Sequence, residues 1–274
     1  MRPPVIMGVV NVTPDSFSDG GLFLDADAAV EHGRRLAAEG AAILDVGGES
    51  TRPGAGPVSE DEELRRVLPV VERLVGGEGA APRLSIDTTK ATVARAALGA
   101  GATIVNDISA FRFDPAMAGL VAETGADCCL MHMLGEPRTM QDDPRYDDVV
   151  SDVKAFLEER LAFAVSEGVD ESHVWLDPGI GFGKTVEHNL ELLRRLDEIV
   201  AIGRPVAIGT TRKSFLGKLA GGRDEGERLP GTIATNVLAL ERGATVFRVH
   251  DVAQNADALA VAAATFRLDV GEGA

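Results

Sequence analysis

Cysteine is nearly absent from this sequence, and the little that is present excludes two kinds of site. Cys128 and Cys129 are the two cysteines among 274 residues, and they are adjacent in a short apolar run. Neighbouring residues of a strand face opposite sides, so these two thiols cannot readily pair with each other. No Cys-x-x-Cys and no zinc-type spacing of cysteine and histidine occurs. We therefore expect two buried thiols in a cytoplasmic protein.

Positive charge is also scarce. Lys and Arg number 27 against 43 Asp and Glu, which gives a formal net charge of −16. Nucleic acids and anionic membranes bind to basic protein faces, so we expect neither as a partner. Any phosphate must be bound by a local cluster of cations. Arginine supplies most of the positive charge, and Lys213 is the lysine of greatest interest because it follows a predicted strand.

Long apolar runs and the pattern of a signal peptide are missing as well. The segment from Met1 to Val10 is interrupted by two prolines and a glycine and has no small-residue cleavage site. No apolar run reaches the roughly 20 residues that a membrane helix needs. We expect neither a leader nor a membrane anchor. A length of 274 residues with 45% hydrophobic residues fits a single α/β domain over residues 1–274.

What the sequence does contain is a regular alternation of short apolar runs and helical segments. Eight runs have the length and composition of buried strands. They are Val5 to Val12, Ile43 to Gly47, Leu84 to Thr88, Ile104 to Asp107, Cys128 to Met133, Val174 to Pro178, Val206 to Thr210 and Val246 to Asp251.

Helical periodicity fills the segments between these runs. The clearest helix follows a capping box of Ser59 with Glu62 and continues to Val75. The other predicted helices are Asp25 to Glu39, Lys90 to Leu98, Asp114 to Glu123, Asp147 to Gly168, Glu187 to Ile199, Leu229 to Arg242 and Val252 to Arg267. Eight strands alternating with helices predict a parallel (β/α)8 barrel in one domain, with a doubly wound open sheet as the less favoured alternative.

Polar residues collect where the predicted strands end, which is the catalytic end of such a barrel. Any one of them could be a turn or helix-capping residue, but all eight strands show the feature. The residues are Asn11, Asp45, Asp87, Asn106 with Asp107, His132, Asp177, Thr210 with Thr211, and Arg248 with His250. Two long glycine-containing loops, Thr13 to Leu24 and Gly48 to Pro57, are expected to close over a substrate.

These strand ends carry sequence blocks that resemble the dihydropteroate synthases. The blocks follow the family's order over nearly the whole chain. They are Met7 to Gly21, Asp45 to Gly54, Ser85 to Thr88, Val105 to Ile108, Met131 to Met133, Leu176 to Lys184, Thr211 to Ser214 and Arg248 to Asp251. The resemblance implies a (β/α)8-barrel enzyme that joins a dihydropterin methyl diphosphate to p-aminobenzoate and releases diphosphate.

The resemblance implies a role for the residues in these blocks. Asp177, Asp87 and Asn106 would bind the hydrogen-bonding edge of the pterin, with Ile108 and Met131 as apolar walls and Lys213 bridging to p-aminobenzoate. Asn11, Thr51, Arg248 and His250 would bind the diphosphate, with Asn11 as a ligand of Mg2+. The p-aminobenzoate pocket would comprise Phe17, Thr51, Arg52, Pro53, Phe182, Lys213 and Ser214. Asp15, Asp19, Lys213, Arg248 and His250 would be catalytic.

Further expectations follow from the same resemblance. Mg2+, Arg248 and His250 would stabilise the departing diphosphate in a dissociative substitution. The loops carrying Asp15, Phe17, Asp19 and Arg52 would order only after diphosphate and metal bind. Sulfonamides would compete with p-aminobenzoate, since the blocks around Pro53, Phe182 and Ser214 show no insertion. The family also implies a homodimer, for which the alanine-rich later helices are candidates.

Three alternatives remain to be weighed. A corrinoid methyltransferase domain that binds methyltetrahydrofolate shares a pterin-binding barrel but lacks the two long loop blocks. A catalytically inactive pterin-binding module would keep Asp177 and Asn106 but lose Asn11, Arg52 or His250, all of which are present here. A phosphosugar isomerase barrel would need a glutamate base motif that is not seen. The block Thr211 to Ser214 departs mildly from the family, with Thr211 where serine is common.

Overall fold

The computed structural model describes residues 3–13, 22–51, 54–75 and 82–267, with the side chains of residues 22–25 and 267 left out. Eight parallel strands lie in one sheet in the order β6-β5-β4-β3-β2-β1-β8-β7. The strands are β1 Val5–Asn11, β2 Ile43–Gly47, β3 Arg83–Asp87, β4 Ile104–Asp107, β5 Asp127–Met131, β6 Val174–Asp177, β7 Ala207–Ile208 and β8 Val246–Val249.

The two edge strands of this sheet meet, so the sheet forms a barrel. A single parallel bridge joins Leu176 of β6 to Val206, just before β7. The amide of Leu176 also donates to the carbonyl of Pro205 at 2.9 Å. β7 is shorter than the predicted strand Val206 to Thr210. Beyond its end, the hydroxyl of Thr210 forms hydrogen bonds with the side chains of Asn236 and Thr235. The predicted (β/α)8 barrel is confirmed.

The helices follow the strands as the sequence predicts, with two differences. They are α1 Leu22–Ala38, α2 Glu60–Val75, α3 Ala91–Gly99, α4 Ala116–Thr124, α5 Val149–Ser166, α6 Val186–Arg194, α7 Leu196–Val200, α8 Ser214–Leu219, α9 Leu229–Glu241 and α10 Val252–Arg267. Short 3-10 turns occur at Glu171–His173 and Glu225–Glu227. α8 was not predicted, since six residues are too few for a helical period to show.

The second difference is a break in the predicted helix Glu187 to Ile199. Arg195 has φ −112° and ψ 29°, outside the helical region, and separates α6 from α7. Its guanidinium group bonds to Glu198 at 2.6 Å and to Asp148 at 2.8 Å. The Asp148 carboxylate also caps the start of α5 by accepting from the amide of Ser151. Arg195, at the break, therefore connects α7 to the start of α5 through these ion pairs.

The capping box predicted for α2 is present in one of its two halves. The hydroxyl of Ser59 accepts a hydrogen bond from the amide of Glu62 at 3.3 Å, as the prediction requires. The carboxylate of Glu62, the expected second half, accepts from Arg66 at 2.8 Å. The helix therefore begins where the sequence indicates, but Glu62 forms an ion pair along the helix.

Strand alternation divides the core into two layers. One set of strand side chains faces the helices and forms the larger core, which includes Cys128. The alternate set points into the barrel and fills its amino-terminal half, a cluster we call the inner plug. Its members are Val5, Met7, Ile43, Ile104, Cys129, Trp175, Ala207 and Val246. The two cysteines are buried on opposite faces of β5, as expected. None of the described helices has both the length and the apolar character needed to cross a membrane.

Candidate active site

On four of the strands, the side chain two residues beyond the inner plug is polar. Asp45 follows Ile43, Asn106 follows Ile104, Asp177 follows Trp175 and Arg248 follows Val246, with Asp87 beside them on β3. Strand register brings them to one level, since Asp87 pairs with Asn106 and Met131 pairs with Asp177. The apolar plug below and the open carboxyl end above make this layer the floor of a site.

Arg248 is the centre of an ionic network on this floor. Its Nε lies 2.7 Å from Asp45 Oδ2, and its Nη2 lies 2.8 Å from Asp87 Oδ2. Asn106 Nδ2 donates to the same Asp45 oxygen at 3.1 Å. Asp45 is fully buried, and its other oxygen has no hydrogen-bond partner among the described residues. The sequence placed Asp45 among the polar strand residues without a role, whereas the structure shows that it fixes Arg248 and Asn106.

The electrostatics of the floor follow from burial and from the single arginine. Burial raises the pKa of Asp87 to about 7, although Arg248 opposes the rise. Burial disfavours charge on Arg248, but the carboxylates of Asp45 and Asp87 outweigh it and raise the arginine's pKa. Arg248 therefore stays charged, while Asp87 can exchange a proton near neutral pH.

Asp177 ends β6 and is held by the glycine-rich loop that follows it. Its Oδ1 accepts a hydrogen bond from the amide of Gly179 at 2.6 Å. Gly179 has φ +67°, and a Cβ there would lie 1.9 Å from the carbonyl oxygen of His132. Burial raises the pKa of Asp177, and the amine of Lys213 opposes that rise. Glycine at this position lets the loop pass close to His132, the residue after β5.

Lys213 reaches the site from the loop after β7. Its amine donates to the carbonyl of Ile180 and lies 4.6 Å from the ring centroid of Phe182. Burial lowers the pKa of Lys213 to about 8, and Asp177 opposes this. A Cβ at Gly181, where φ is +83°, would lie 2.9 Å from the Lys213 side chain, so glycine makes room for it.

Arg212, next to Lys213, has a role that the sequence did not reveal. It adopts a left-handed backbone conformation with φ +54°, which is unfavourable for a residue with a side chain. Its guanidinium forms a two-pronged ion pair with Asp251, at 3.0 and 2.5 Å, and its amide donates to Thr232 at 3.1 Å. These contacts stabilise the turn that presents Lys213.

Ile108 and Met131, which the sequence suggests as apolar walls, lie in one buried cluster. They pack together with Met133 and Met140, and Phe182 contacts the edge of this cluster. Two polar strand-end residues do not take part. Asp107 and His132 face the helices: Asp107 accepts from backbone amides of the following turn, and the ring of His132 makes an edge-to-face contact with Phe156. Alternation along β4 and β5 explains this, because their neighbours Asn106 and Met131 face inward.

The residues expected to bind diphosphate lie around the same rim. Asn11 ends β1 beside Gly47, and the imidazole of His250 lies 3.0 Å from the hydroxyl of Thr211. Thr51 is half-buried and lines a cavity of about 310 Å³ that also reaches Asp87 and Ile108. Ser214 is exposed at the first residue of α8. Five further candidates, Asp15, Phe17, Asp19, Arg52 and Pro53, lie outside the described residues.

Comparison with known proteins gives a consistent result. The family model described as "Pterin binding enzyme" matches residues 7–250. The dihydropteroate synthase of Mycobacterium leprae is 50% identical, with 96% of this chain and 94% of the relative aligned.

Two solved structures agree with this result. The Xanthomonas albilineans dihydropteroate synthase with 4-aminobenzoic acid has a TM-score of 0.91 at 48% identity, covering 97% of this chain and 94% of that one. The Yersinia pestis dihydropteroate synthase in a sulfonamide drug complex has a TM-score of 0.90 at 43% identity, covering 96% and 94%.

Proposed function

The chain belongs to the dihydropteroate synthase family, and from that premise we propose which of its residues carry out the reaction. The enzyme condenses 6-hydroxymethyl-7,8-dihydropterin diphosphate with p-aminobenzoate and releases diphosphate. The observation that carries the assignment of roles is the floor of Asp87, Asn106, Asp177 and Arg248, of which Asn106 and Asp177 are buried, with Lys213 beside it. The floor combines acceptors for a heterocycle with cations for a leaving group.

The pterin fits the strand-borne part of the site. Its 2-amino group and ring N–H form a pair of donors, and a carboxylate can accept both in a two-pronged bond. We assign that carboxylate to Asp177, because one of its oxygens is already anchored to Gly179. Asp87 and Asn106 complete the polar edge, and Ile108 and Met131 form the apolar wall. A ring without the donor pair would leave a buried carboxylate unpaired, which makes the site selective.

We assign the binding of the diphosphate to the side chains of Arg248, His250, Thr51 and Asn11. An amide oxygen such as that of Asn11 is a suitable ligand for Mg2+, which needs one or two protein oxygens when diphosphate supplies others. Within the described part of the chain, no three His, Cys, Asp or Glu side chains converge to form a metal cage. Mg2+ bound in this way would neutralise charge on the diphosphate oxygens. Arg248, held by Asp45 and Asp87, keeps its positive charge at the same rim.

The chemical step is a substitution at the exocyclic methylene carbon of the pterin. The C–O bond to diphosphate breaks, and the aniline nitrogen of p-aminobenzoate forms the new C–N bond and loses a proton. Because that nitrogen is a weak nucleophile and the reduced pterin can delocalise positive charge, we propose a dissociative path. The residues contribute by stabilising the departing charge through Arg248 and His250 and by holding the two substrates in line.

The p-aminobenzoate side is assigned to Phe182, Lys213, Ser214 and Thr51. Phe182 offers a flat apolar face, and the Lys213 amine lies over its ring. The expected contributions of Phe17, Arg52 and Pro53 lie outside the described residues and remain part of the proposal. Since the comparison structures include one relative with 4-aminobenzoic acid and one with a sulfonamide drug, we propose that both ligands compete for this pocket.

The experiment that tests the function uses the purified chain alone. Incubation with the pterin diphosphate, p-aminobenzoate and Mg2+ should give dihydropteroate and diphosphate in equal amounts. Pterin binding without product would indicate an inactive pterin-binding module. Transfer of a methyl group from methyltetrahydrofolate to a corrinoid would indicate the methyltransferase alternative. Omitting p-aminobenzoate is the control, because the product requires both substrates.

Two further properties are proposed on lesser support. Leu238 on α9 and Val261 and Phe266 on α10 expose 49%, 68% and 37% of their surface, which favours a homodimer through these helices. Sedimentation should give a dimer for the wild type and a monomer for Val261→Glu; a wild-type monomer would contradict this. The buried reduced thiols of Cys128 and Cys129 favour a cytoplasmic location, which a tagged protein imaged in cells would test.

A further inference from the structure

The glycine-rich loop after β6 is held by side chains at four consecutive carbonyl groups. Loop carbonyls at the surface ordinarily bond to water. Here the acceptors and donors are Ile180 with the Lys213 amine, Gly181 with Gln141 Nε2 at 2.6 Å, Phe182 with the Lys184 amine at 2.9 Å, and Gly183 with the Tyr146 hydroxyl at 2.7 Å. A loop fixed at every carbonyl across four residues has little freedom to shift its side chains.

The amide side of the same loop is fixed as well. The amide of Gly181 donates to Asn189 Oδ1 at 2.7 Å, and the amide of Phe182 donates to the carbonyl of Gly179 at 3.0 Å. Asn189 is buried and in turn donates to the carbonyl of Thr185 at 2.7 Å. The backbone of Phe182 is therefore defined from both sides.

Lys184 is the donor for which the reaction provides no other role. Only 3% of its surface is exposed, and its amine lies 2.9 Å from both the Phe182 carbonyl and His132 Nδ1. Burial lowers the pKa of His132 to about 2, so its ring is neutral and Nδ1 can accept this hydrogen bond. An amine is costly to bury unless hydrogen bonds compensate, and these two partners supply them.

We propose that Lys184 is a positioning residue for the p-aminobenzoate half of the reaction, with Tyr146 and Gln141 as supporting contacts. By fixing the Phe182 carbonyl it holds the Phe182 ring against the Lys213 amine. The inference rests on the proposed function, which places p-aminobenzoate against that ring. Of the pterin contacts, Asp87 and Asn106 lie on strands away from this loop, and Asp177 contacts it only through the amide of Gly179, before the carbonyl that Lys184 binds. Loss of Lys184 should therefore affect the two substrates unequally.

The test is Lys184→Met, which keeps an unbranched side chain and removes the amine. We expect the KM for p-aminobenzoate to rise about tenfold, while the KM for the pterin diphosphate changes less than about threefold. Lys154→Met is the matched control, because Lys154 lies on α5, away from the glycine-rich loop, and forms an ion pair with Glu158 at 4.0 Å. It should leave both constants unchanged. An unchanged p-aminobenzoate KM in folded Lys184→Met, or an equal rise for both substrates, overturns the proposal.

A double-mutant cycle with Phe182→Ala separates this proposal from the assignment of the pocket. Phe182→Ala alone should raise the p-aminobenzoate KM; if it does not, the pocket itself is wrongly placed. In the Phe182→Ala background, Lys184→Met should add less than about a twofold change, since it acts through the missing ring. Fully additive effects overturn the positioning role. If Lys184→Met does not fold, Tyr146→Phe decides: a rise of about threefold in the same KM supports the proposal and no rise overturns it.

Discussion

The pterin side and the p-aminobenzoate side of the site are built in different ways. Asp45, Asp87, Asn106, Asp177 and Arg248 all stand on strands, and register fixes their relative positions. The p-aminobenzoate candidates Thr51, Phe182, Lys213 and Ser214 stand on loops or at a helix start, and they are half-buried or exposed.

From this difference between strand-borne and loop-borne residues we infer where each substrate obtains its binding energy. On the strand-borne floor, a polar group is buried whether or not the ligand is present, so losing its partner is costly. On the loop-borne side, the contacts to p-aminobenzoate come from side chains that are partly exposed to water. These side chains stand on long loops that contain glycine. We therefore expect large effects from changes at the floor and smaller, more selective effects from changes at the loops.

The largest effect is expected from removal of the Mg2+ that we propose for the diphosphate, between the two sides. EDTA should lower turnover by about a thousandfold, and Mg2+ should restore it, because the described rim offers few groups to neutralise diphosphate. Steady-state rates in metal-free and reconstituted buffer measure this. Pterin binding in the absence of diphosphate serves as the control and should be unaffected. Full activity in metal-free buffer would show that the metal is not needed.

A change at the floor should come next. Asp177→Asn should weaken binding of the pterin about a hundredfold, because the amide places a donor opposite a donor of the ligand. Calorimetry with a pterin lacking diphosphate isolates this interaction. Asp107→Asn is a suitable control, since Asp107 is also buried at a strand end but faces away from the site. Equal affinity for wild type and Asp177→Asn would reassign Asp177 to the turn alone.

The floor should also respond to pH. The pKa of Asp87 rises from 3.8 to about 7 because of burial, with Asp45, Glu63 and Asp107 adding to the rise and Arg248 opposing it. Asp87 is therefore largely protonated at pH 6 and ionised at pH 8. If the pterin requires the ionised form, its affinity should increase about tenfold between these values. The dissociation constant measured against pH should lose this step in Asp87→Asn, and an unchanged profile in that variant would exclude Asp87 as its source.

The same shift has a consequence for stability. Between pH 3.8 and about 7 the folded protein keeps the Asp87 proton while the unfolded chain has lost it. The folded state then binds more protons, so the contribution of Asp87 to the free energy of unfolding falls as pH rises through this interval. The unfolding midpoint of wild type relative to Asp87→Asn should decrease over that range. A difference that does not vary with pH would contradict the raised pKa.

A selective effect is expected at the loop-borne side. Inserting one residue after Phe182 should weaken a sulfonamide about tenfold and p-aminobenzoate only about twofold, since the bulkier sulfonyl group meets the displaced wall. The wild-type enzyme should be sensitive to the drug. The inhibition constant of sulfamethoxazole and the KM for p-aminobenzoate are compared in both forms. Equal losses for the two ligands, or a wild type that resists the drug, would refute the pocket.

The sequence predicted the residues of the floor better than the contacts between them. Apolar runs located all eight strands to within two residues at either end, and polar residues at their ends included Asp45, Asp87, Asn106 and Arg248, which the structure brings together. It could not show that Arg248 pairs with Asp45, because that contact joins residues 203 positions apart and depends on barrel closure. Strand alternation did contain the signal that Asp107 faces away, since it adjoins Asn106.

The loops and short helices were harder to predict. The break at Arg195 results from its ion pairs with Glu198 and Asp148, and no helical periodicity records a tertiary contact of that kind. The side chains that fix the carbonyls of the glycine-rich loop, Gln141, Tyr146, Lys184 and Lys213, come from three separate segments. A pattern read along the chain does not identify them as neighbours.

We propose that the strands preform the pterin floor, whereas diphosphate must bind before the p-aminobenzoate side is complete. Calorimetric titration of p-aminobenzoate and of a pterin without diphosphate, each with and without Mg2+ and free diphosphate, tests this directly. We expect the pterin to bind equally well in both conditions. We expect p-aminobenzoate to bind measurably only when Mg2+ and diphosphate are present. Equal p-aminobenzoate affinity in both conditions would contradict it.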